Sequence, residues 1–273
     1  MSGTSDDAAN GFALATAAYA ELNEGDRRAA ADRFDAALAA TPDDPRAPAW
    51  RAARDRLGRR WSAAAYAILR ERTDGEPSAE LPVLSGPQYG AEVRYRTDPL
   101  TRRPLDLIAR ATFAPGISGA ADIAEAVAGI GWQPLGRTGP EIALERRIEL
   151  TSAGRDAMQL RLSGGVSESI HGPTYVDAYA DSGVVGAESL DLFAGGQAFV
   201  GYRLTPALSF GGGAWGGWQD DGVETSRVEV GPFVRFAAPV LGGGVDVRAA
   251  YRARIAGTLP AENGATLTLS ARY

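Results

Sequence analysis

Residues 245–255 read Val-Asp-Val-Arg-Ala-Ala-Tyr-Arg-Ala-Arg-Ile, an alternation with a period of two. Successive side chains of a β-strand point to opposite faces, so the pattern predicts a strand between an apolar and a polar environment. The apolar and aromatic face carries Val245, Val247, Ala249, Tyr251, Ala253 and Ile255. The polar face carries Asp246, Arg248, Ala250, Arg252 and Arg254.

The same alternation recurs from residue 88 to the end of the chain. Many of the segments reach about ten residues, whereas strands of soluble sheets average about five or six. Aromatic residues cluster near the segment ends, as a girdle at a membrane interface requires. These features predict an all-β antiparallel transmembrane barrel of the bacterial outer membrane, and a soluble β-sandwich is the alternative. The aromatic residues are Tyr89, Tyr95, Trp132, Tyr202, Trp215, Trp218, Phe236 and Tyr273.

Counting segments gives eleven predicted strands. They lie near residues 88–97, 103–114, 121–133, 138–150, 154–167, 173–184, 189–204, 207–219, 224–237, 243–256 and 263–273. Bacterial single-chain barrels have an even number of strands, so we expect about twelve. The segments 121–133 and 138–150 show the weakest alternation. We place the short Thr205-Pro206 turn on the periplasmic side, and residues 220–222 and 257–264 on the extracellular side.

The last predicted strand ends on an aromatic residue, which is a common signal for the barrel assembly machinery. The residues that carry this predicted assembly signal are Leu267, Leu269, Ala271 and Tyr273.

Arginines recur on the polar faces of the predicted strands, where they would point into the barrel lumen. One interpretation is a salt-bridge network that fills a narrow barrel, and the other is a cationic ladder along which an anionic sugar chain slides. The main lumen-facing candidates are Arg203, Arg227, Arg235, Arg248, Arg252 and Arg254.

Residues 1–72 follow a helical period and form a predicted α-helical segment. A helix pair on either side of Gly25 resembles a tetratricopeptide repeat, and a simple helical hairpin that caps the barrel is the alternative. A third helical stretch is predicted from about Pro48 to Arg70, with Trp50, Leu57, Trp61 and Tyr66. Residues 73–85 read as a linker, and residues 86–273 as the barrel. The repeat-packing positions are Ala30, Phe34, Ala37 and Pro42.

The composition argues against several classes of protein. The chain has 273 residues, no Cys and a net charge of -6, which argues against thiol chemistry and against nucleic-acid binding. His171 is the only histidine and lies in a predicted turn, so we predict no catalytic residues, no metal site, no cofactor and no enzyme. The first residues lack a secretory signal, which leaves a fragment, a mature form or a misplaced start as interpretations.

Several segments resemble the NfrA-like C-terminal domain of bacteriophage adsorption protein A. They are residues 84–93, Arg103-Pro-Leu105, residues 129–135, residues 143–150 and residues 174–181. The resemblance implies an outer-membrane barrel, preceded by periplasmic tetratricopeptide repeats, that serves exopolysaccharide export and is exploited as a phage receptor. The helical array of this chain is much shorter than that of the family.

We therefore expect an outer-membrane protein of the exopolysaccharide export or phage-receptor type. The alternative is a non-conducting anchor whose helical domain docks a periplasmic partner. The expected partners are outer-membrane lipid, the barrel assembly machinery and a polysaccharide synthesis protein, with no nucleic acid among them.

Overall fold

The computed structural model describes residues 3–70, 86–116, 121–187, 190–240, 243–259 and 263–273, with the side chains of residues 3–8 left aside. Three helices come first: α1 (Gly3–Asn23), α2 (Arg27–Ala40) and α3 (Ala47–Gly58). Twelve strands follow: β1 (Trp61–Arg70), β2 (Gln88–Arg96), β3 (Leu105–Ala114), β4 (Ile123–Trp132), β5 (Glu141–Glu149), β6 (Ala157–His171), β7 (Thr174–Val185), β8 (Asp191–Arg203), β9 (Leu208–Asp220), β10 (Glu224–Val240), β11 (Gly243–Gly257) and β12 (Gly264–Arg272). The predicted linker 73–85 lies outside the described residues.

The twelve strands close into one antiparallel barrel, in which each strand pairs with its neighbours in sequence and β1 pairs with β12. Ala65 of β1 lies opposite Ala271 of β12 on one side and opposite Ala91 of β2 on the other. Closure removes the free sheet edges that would otherwise leave backbone groups unpaired. The predicted antiparallel barrel of about twelve strands is confirmed.

β1 corrects our prediction for the helical segment. We predicted one helix from about Pro48 to Arg70, but the helix ends at Gly58 and residues 61–70 form a strand. Alanine favours a helix locally, yet hydrogen bonds to β2 and β12 on both sides outweigh that preference. The predicted barrel boundary at residue 86 therefore omits the first strand, which accounts for our odd strand count.

The apolar faces of the strands point outward, and many of their large side chains are exposed. Leu107 of β3 is 47% exposed, for example, whereas its neighbour Asp106 is 2% exposed. Aromatic residues lie on the outward face near the strand ends, with Trp132 and Tyr202 at 44% and 45% exposure. Trp215 is an exception to the predicted girdle, because it is 3% exposed and lies in the lumen.

The barrel wall differs in height around its circumference. Strands β1–β5 and β12 have 9 or 10 residues each. Strands β6–β11 have between 12 and 17 residues. We call the first group the short wall and the second group the tall wall.

The three helices form a small core of alanines, aromatic residues and leucine. Phe34 of α2 is fully buried and packs edge-on against Tyr19 of α1, with ring centroids 5.0 Å apart. Ala30 and Ala37 are also fully buried, whereas Pro42 is exposed in the turn after α2. One hairpin and one further helix do not confirm a tetratricopeptide repeat, which needs stacked units. Among the described residues, no helix is long and apolar enough to cross a membrane.

Both the helices and Tyr273 lie at the same mouth of the barrel, which we call the helical end. The predicted periplasmic turn at Thr205-Pro206 also lies at this end, between β8 and β9. Residues 220–222 lie at the opposite end, between β9 and β10.

Candidate functional site

The inward-facing charges of the barrel form a lumen network of ion pairs, and its centre is Glu229 of β10. This carboxylate is fully buried and accepts a hydrogen bond of 2.5 Å from Arg227 Nε. Arg70 of β1 donates to it with both terminal nitrogens, and Arg252 of β11 lies at 3.7 Å. One carboxylate thus faces three guanidinium groups.

A second part of the lumen network joins β2, β3 and β5. Arg94 Nη1 lies 2.6 Å from Glu141, and Arg94 Nε lies 2.5 Å from Glu92. Arg110 Nη2 lies 2.5 Å from Glu145, which is 1% exposed. The charges of this wall are paired at short range, as burial of an ionised group requires.

The same pairing continues along the next strands. Arg147 of β5 pairs with Glu125 of β4, and both side chains are at most 4% exposed. Arg161 of β6 lies 2.6 Å from Asp181 of β7. The lumen between β4 and β7 is therefore also lined by compensated charges.

Nearer the helical end, the network passes through Arg235 of β10. Its guanidinium pairs with Asp246 of β11 and lies 3.1 Å from Asp177 of β7. Arg248, directly opposite Arg235 in the β10–β11 register, stacks over Phe199 with its Cζ 3.7 Å from the ring centroid. The quadrupole of an aromatic ring attracts a cation above its face, so the Phe199 ring stabilises the Arg248 guanidinium.

The six arginines that we predicted to face the lumen fall into two groups. Arg227, Arg235, Arg248 and Arg252 lie within the network described above. Arg203 lies at the helical end, where its Cζ is 4.7 Å from the Tyr175 ring centroid, and Arg254 donates to the carbonyl of Gly257 at the opposite end. Within the described part of the chain, Arg203, Arg248 and Arg254 have no carboxylate at ion-pair distance. Arg227, Arg235 and Arg252 thus lie beside a carboxylate, whereas Arg203, Arg248 and Arg254 have none in the part of the chain that the structure describes.

Aromatic side chains fill the lumen beside these charges. Phe199 packs edge-on against Trp215 and Phe233, with ring centroids 5.4 Å away in each case. The Arg252 guanidinium lies 4.2 Å from the Trp215 ring centroid. Sequence reasoning missed this aromatic cluster because its rings come from different strands and meet only when the barrel closes, and because Trp215 lies among glycines that show no alternation. The buried cluster comprises Tyr175, Val185, Phe193, Phe199, Trp215, Phe233 and Ala250.

Glycines make room for these rings against the barrel wall. A Cβ at Gly201 would lie 2.4 Å from Cζ of Tyr175, and one at Gly90 would lie 2.3 Å from Cε1 of Tyr66. Such distances are shorter than van der Waals contact, so an alanine would force the ring to move. The glycines and rings are therefore packed against each other, as in a solid protein interior.

The helices dock onto the barrel through the turn between β2 and β3. Arg27 of α2 donates to the carbonyls of Pro99 and Leu57, at 3.2 and 3.3 Å. Arg28 pairs with Asp98 at 2.7 Å, and Leu100 packs against the apolar core of the helices. We call this set of contacts the docking interface.

Arg137, in the turn between β4 and β5, completes the docking interface. Its Nη2 donates to the Pro99 carbonyl at 2.5 Å. Burial, followed by the nearby charges of Arg96 and Arg27, lowers the pKa of Arg137 to about 10. The guanidinium groups of Arg137, Arg96 and Arg27 thus lie close together at the helical end.

The described residues do not form the serine–histidine pair that His171 could have provided. Ser167 donates to Asp177 at 2.5 Å, but His171 makes no hydrogen bond with Ser167 or Ser169 there. In the same part of the chain, no group of three or more His, Asp or Glu side chains could hold a metal ion.

No protein-family model matches the chain, and no curated protein matches it. Among solved structures, the COG4313 outer membrane channel from Pseudomonas putida F1 is similar over 78% of this chain and 94% of its own, with 12% identity and a TM-score of 0.47. LpxR from Salmonella typhimurium is similar over 78% and 99%, with 11% identity and a TM-score of 0.42. The outer membrane channel DcaP of Acinetobacter baumannii is similar over 78% and 94%, with 10% identity and a TM-score of 0.34.

The barrel has two features that a membrane-spanning β-protein needs, a closed sheet and an apolar outward face. It is closed, so its backbone groups are paired without free edges. Its outward face is apolar, while charged side chains such as Asp106 and Arg227 are buried inside. The chain is therefore a closed twelve-stranded β-barrel with the apolar outward face of a membrane-spanning protein.

Proposed function

We propose that this protein is a non-conducting anchor in the outer membrane whose helical segment docks a periplasmic partner. The observation that carries the proposal is the filling of the lumen by paired charges and aromatic rings. In this proposal the protein is not an enzyme and needs no cofactor.

The strongest support comes from ion pairs that bridge separated parts of the wall. Arg70 of β1 reaches Glu229 of β10, and in the strand order these two strands are three spacings apart. Arg94 of β2 reaches Glu141 of β5 across the same number of spacings. Each pair spans a quarter of the wall and so narrows the lumen, and a buried charge that loses its partner costs several kcal/mol.

The docking interface supports the second half of the proposal. Arg27 and Arg102 donate to backbone carbonyls across the contact between the helices and the barrel turns, and Arg137 donates to the Pro99 carbonyl from the neighbouring turn. Leu100 also joins the core of the helices. The helices are thereby held in a fixed position, and a preorganised surface loses less entropy when it binds a partner.

A second function is export of an anionic exopolysaccharide, with a phage-receptor role as implied by the family resemblance. The observation that favours it is the set of arginines without a carboxylate partner in the described residues, Arg203, Arg248 and Arg254. An anionic sugar chain could pass between these guanidinium groups if the lumen widened.

Conductance measurements separate the two functions. We expect the purified full chain to give no steady conductance in a planar lipid bilayer. We expect Arg70→Ala/Glu229→Ala, which removes one bridge, to give brief openings. Steady conductance of the unmodified protein that an anionic polysaccharide blocks would favour export and would overturn the anchor.

The docking role needs its own test in cells. A photocrosslinking residue at the exposed Thr16 position of α1 should capture one discrete partner, and the same probe at the exposed Val223, at the opposite end, should not. Identical crosslinking patterns at both positions would contradict docking through the helices.

A further inference from the structure

Three aromatic residues mark the membrane interface at the helical end, around the seam between β12 and β1. Trp61 begins β1 and is 59% exposed, and its ring lies 4.8 Å from that of Tyr95 on β2. Tyr273 follows β12 and is 58% exposed. Trp and Tyr side chains concentrate at the level of lipid headgroups, because one part of the ring system is apolar and another part is polar.

Two arginines are held directly against these rings. Arg59 Cζ lies 4.9 Å from the Tyr273 ring centroid, and Arg60 Cζ lies 5.9 Å from that of Tyr95. Arg60 Nη1 also donates to the Tyr95 hydroxyl at 3.0 Å and to the Thr97 carbonyl at 2.9 Å. The two guanidinium groups are therefore positioned at the depth of the headgroups.

Neither Arg59 nor Arg60 has a carboxylate side chain at ion-pair distance in the described residues. Asp98, in the turn after β2, is already paired with Arg28 at 2.7 Å. The terminal backbone oxygen of Tyr273 accepts a hydrogen bond from Ala63 N at 3.1 Å. Among the described residues, these two exposed positive charges thus have no side-chain counterion at the lipid interface.

Two arginines at the opposite end of the barrel have carboxylate partners. There Arg146 pairs with Asp156, and Arg155 pairs with Asp191. The rim thus supplies carboxylates to some of its arginines, and within the described part of the chain it supplies none to Arg59 and Arg60 beside Trp61.

We propose that Arg59 and Arg60 bind the phosphate of an anionic phospholipid in the leaflet at the helical end. A guanidinium group presents parallel N–H donors that match phosphate oxygens. Trp61 lies beside Tyr95 and Leu107 in the outward-facing register, which gives the acyl chains of the same lipid an apolar surface. This combination favours a lipid over a soluble anion, since a soluble anion would leave that surface unused.

Native mass spectrometry of the full chain in a neutral detergent tests the proposal. With phosphatidylglycerol or phosphatidylcholine added at equal concentrations, we expect the unmodified protein to retain several-fold more phosphatidylglycerol. Arg59→Gln/Arg60→Gln should lose that preference, and Arg59→Lys/Arg60→Lys should keep most of it. The matched control, Arg146→Gln/Arg155→Gln, removes the same charge at the opposite end and should bind like the unmodified protein.

Three outcomes would overturn the site. They are equal retention of both lipids by the unmodified protein, unchanged retention by Arg59→Gln/Arg60→Gln, and displacement of phosphatidylglycerol by inorganic phosphate at equal concentration. Heat-modifiable gel mobility checks that each variant is folded. If the double variant does not fold, Arg59→Gln alone should still reduce the preference, and no reduction would likewise overturn the proposal.

Discussion

Arg70 and Glu229 form a buried ion pair inside the barrel, although 159 residues separate them in the sequence. Their side chains are 3% and 0% exposed, and Arg227 and Arg252 share the same carboxylate. The pair joins the first strand of the barrel to the tenth, so it depends on the barrel being closed.

Replacing Glu229 by Gln should be strongly destabilising, because three buried guanidinium groups would lose their shared anion. We expect a loss of about 3–5 kcal/mol in the free energy of unfolding. Urea unfolding in detergent micelles, followed by tryptophan fluorescence, measures it. Glu168→Gln, at an exposed position of β6, is the control and should change stability by less than about 0.5 kcal/mol. Equal unfolding midpoints for the two variants would contradict the role of Glu229.

Gly201→Ala should destabilise the barrel by about 1–3 kcal/mol, because its Cβ would overlap the Tyr175 ring. Gly212→Ala provides a matched control on β9, since a Cβ there would have no heavy atom within 4 Å. The two variants can be compared by their unfolding midpoints in micelles. If both behave like the unmodified protein, the rings inside the lumen have room to move and the lumen is less tightly packed than we describe.

Leu100→Ala should loosen the helices from the barrel without unfolding the barrel. The half-buried leucine contributes about 1–2 kcal/mol of apolar contact, which corresponds to roughly a tenfold change in the opening equilibrium. Hydrogen exchange of α2 should therefore accelerate, while gel mobility of the unheated barrel stays the same. Leu135→Ala, at a 77% exposed position in the next turn of the same end, should leave exchange unchanged. Faster exchange in both variants would mean that Leu100 has no special role in docking.

The turn between α2 and α3 should weaken in acid. Hydrogen bonds from the Arg46 side chain and backbone lower the pKa of Asp44 from 3.8 to about 2. Because the folded turn binds fewer protons than the unfolded chain, this stabilisation is complete above about pH 4 and is lost as the pH falls towards 2.

An NMR titration of the Arg46 backbone amide, which donates to Asp44 at 2.7 Å, would follow this change. Asp44→Asn should abolish the titration in that range, and Asp43→Asn should leave it in place. A titration that persists in Asp44→Asn would assign the effect to another group.

Most strands could be predicted from the sequence because their two faces differ chemically. β11 is the clearest case, with Val245 and Val247 outside and Asp246 and Arg248 inside. β1 could not be recognised in the same way, since Ala63 and Ala65 face outward while Ala64 faces inward. Alanine on both faces hides a period of two, and alanine also favours helices. The signal that could have found β1 was the odd strand count together with Gly58, which ends the last helix.

The sequence predicts which side chains point into the lumen much better than it predicts which of those side chains contact each other. Alternation places Arg235 and Arg248 on the inner face, but it does not show that one meets Asp177 and the other meets Phe199. Those contacts depend on barrel diameter and stagger, which link residues far apart in sequence. Trp215 was assigned to the wrong face for a related reason, because glycines on either side of it give no alternation to read.

The unequal heights of the two walls have a consequence for the membrane itself. Ten residues at about 3.3 Å each, tilted by about 40°, span roughly 25 Å, which matches the apolar band of outer-membrane barrels. The short wall therefore fits the hydrocarbon layer, while the 15 to 17 residues of β6, β10 and β11 rise about 13–18 Å beyond it. The helices dock on turns of the short wall. A wall longer than the hydrocarbon layer on one side only should tilt the barrel or thicken the bilayer beside the tall wall, so the thickness of the surrounding lipid would distinguish the tall wall from the side on which the helices dock.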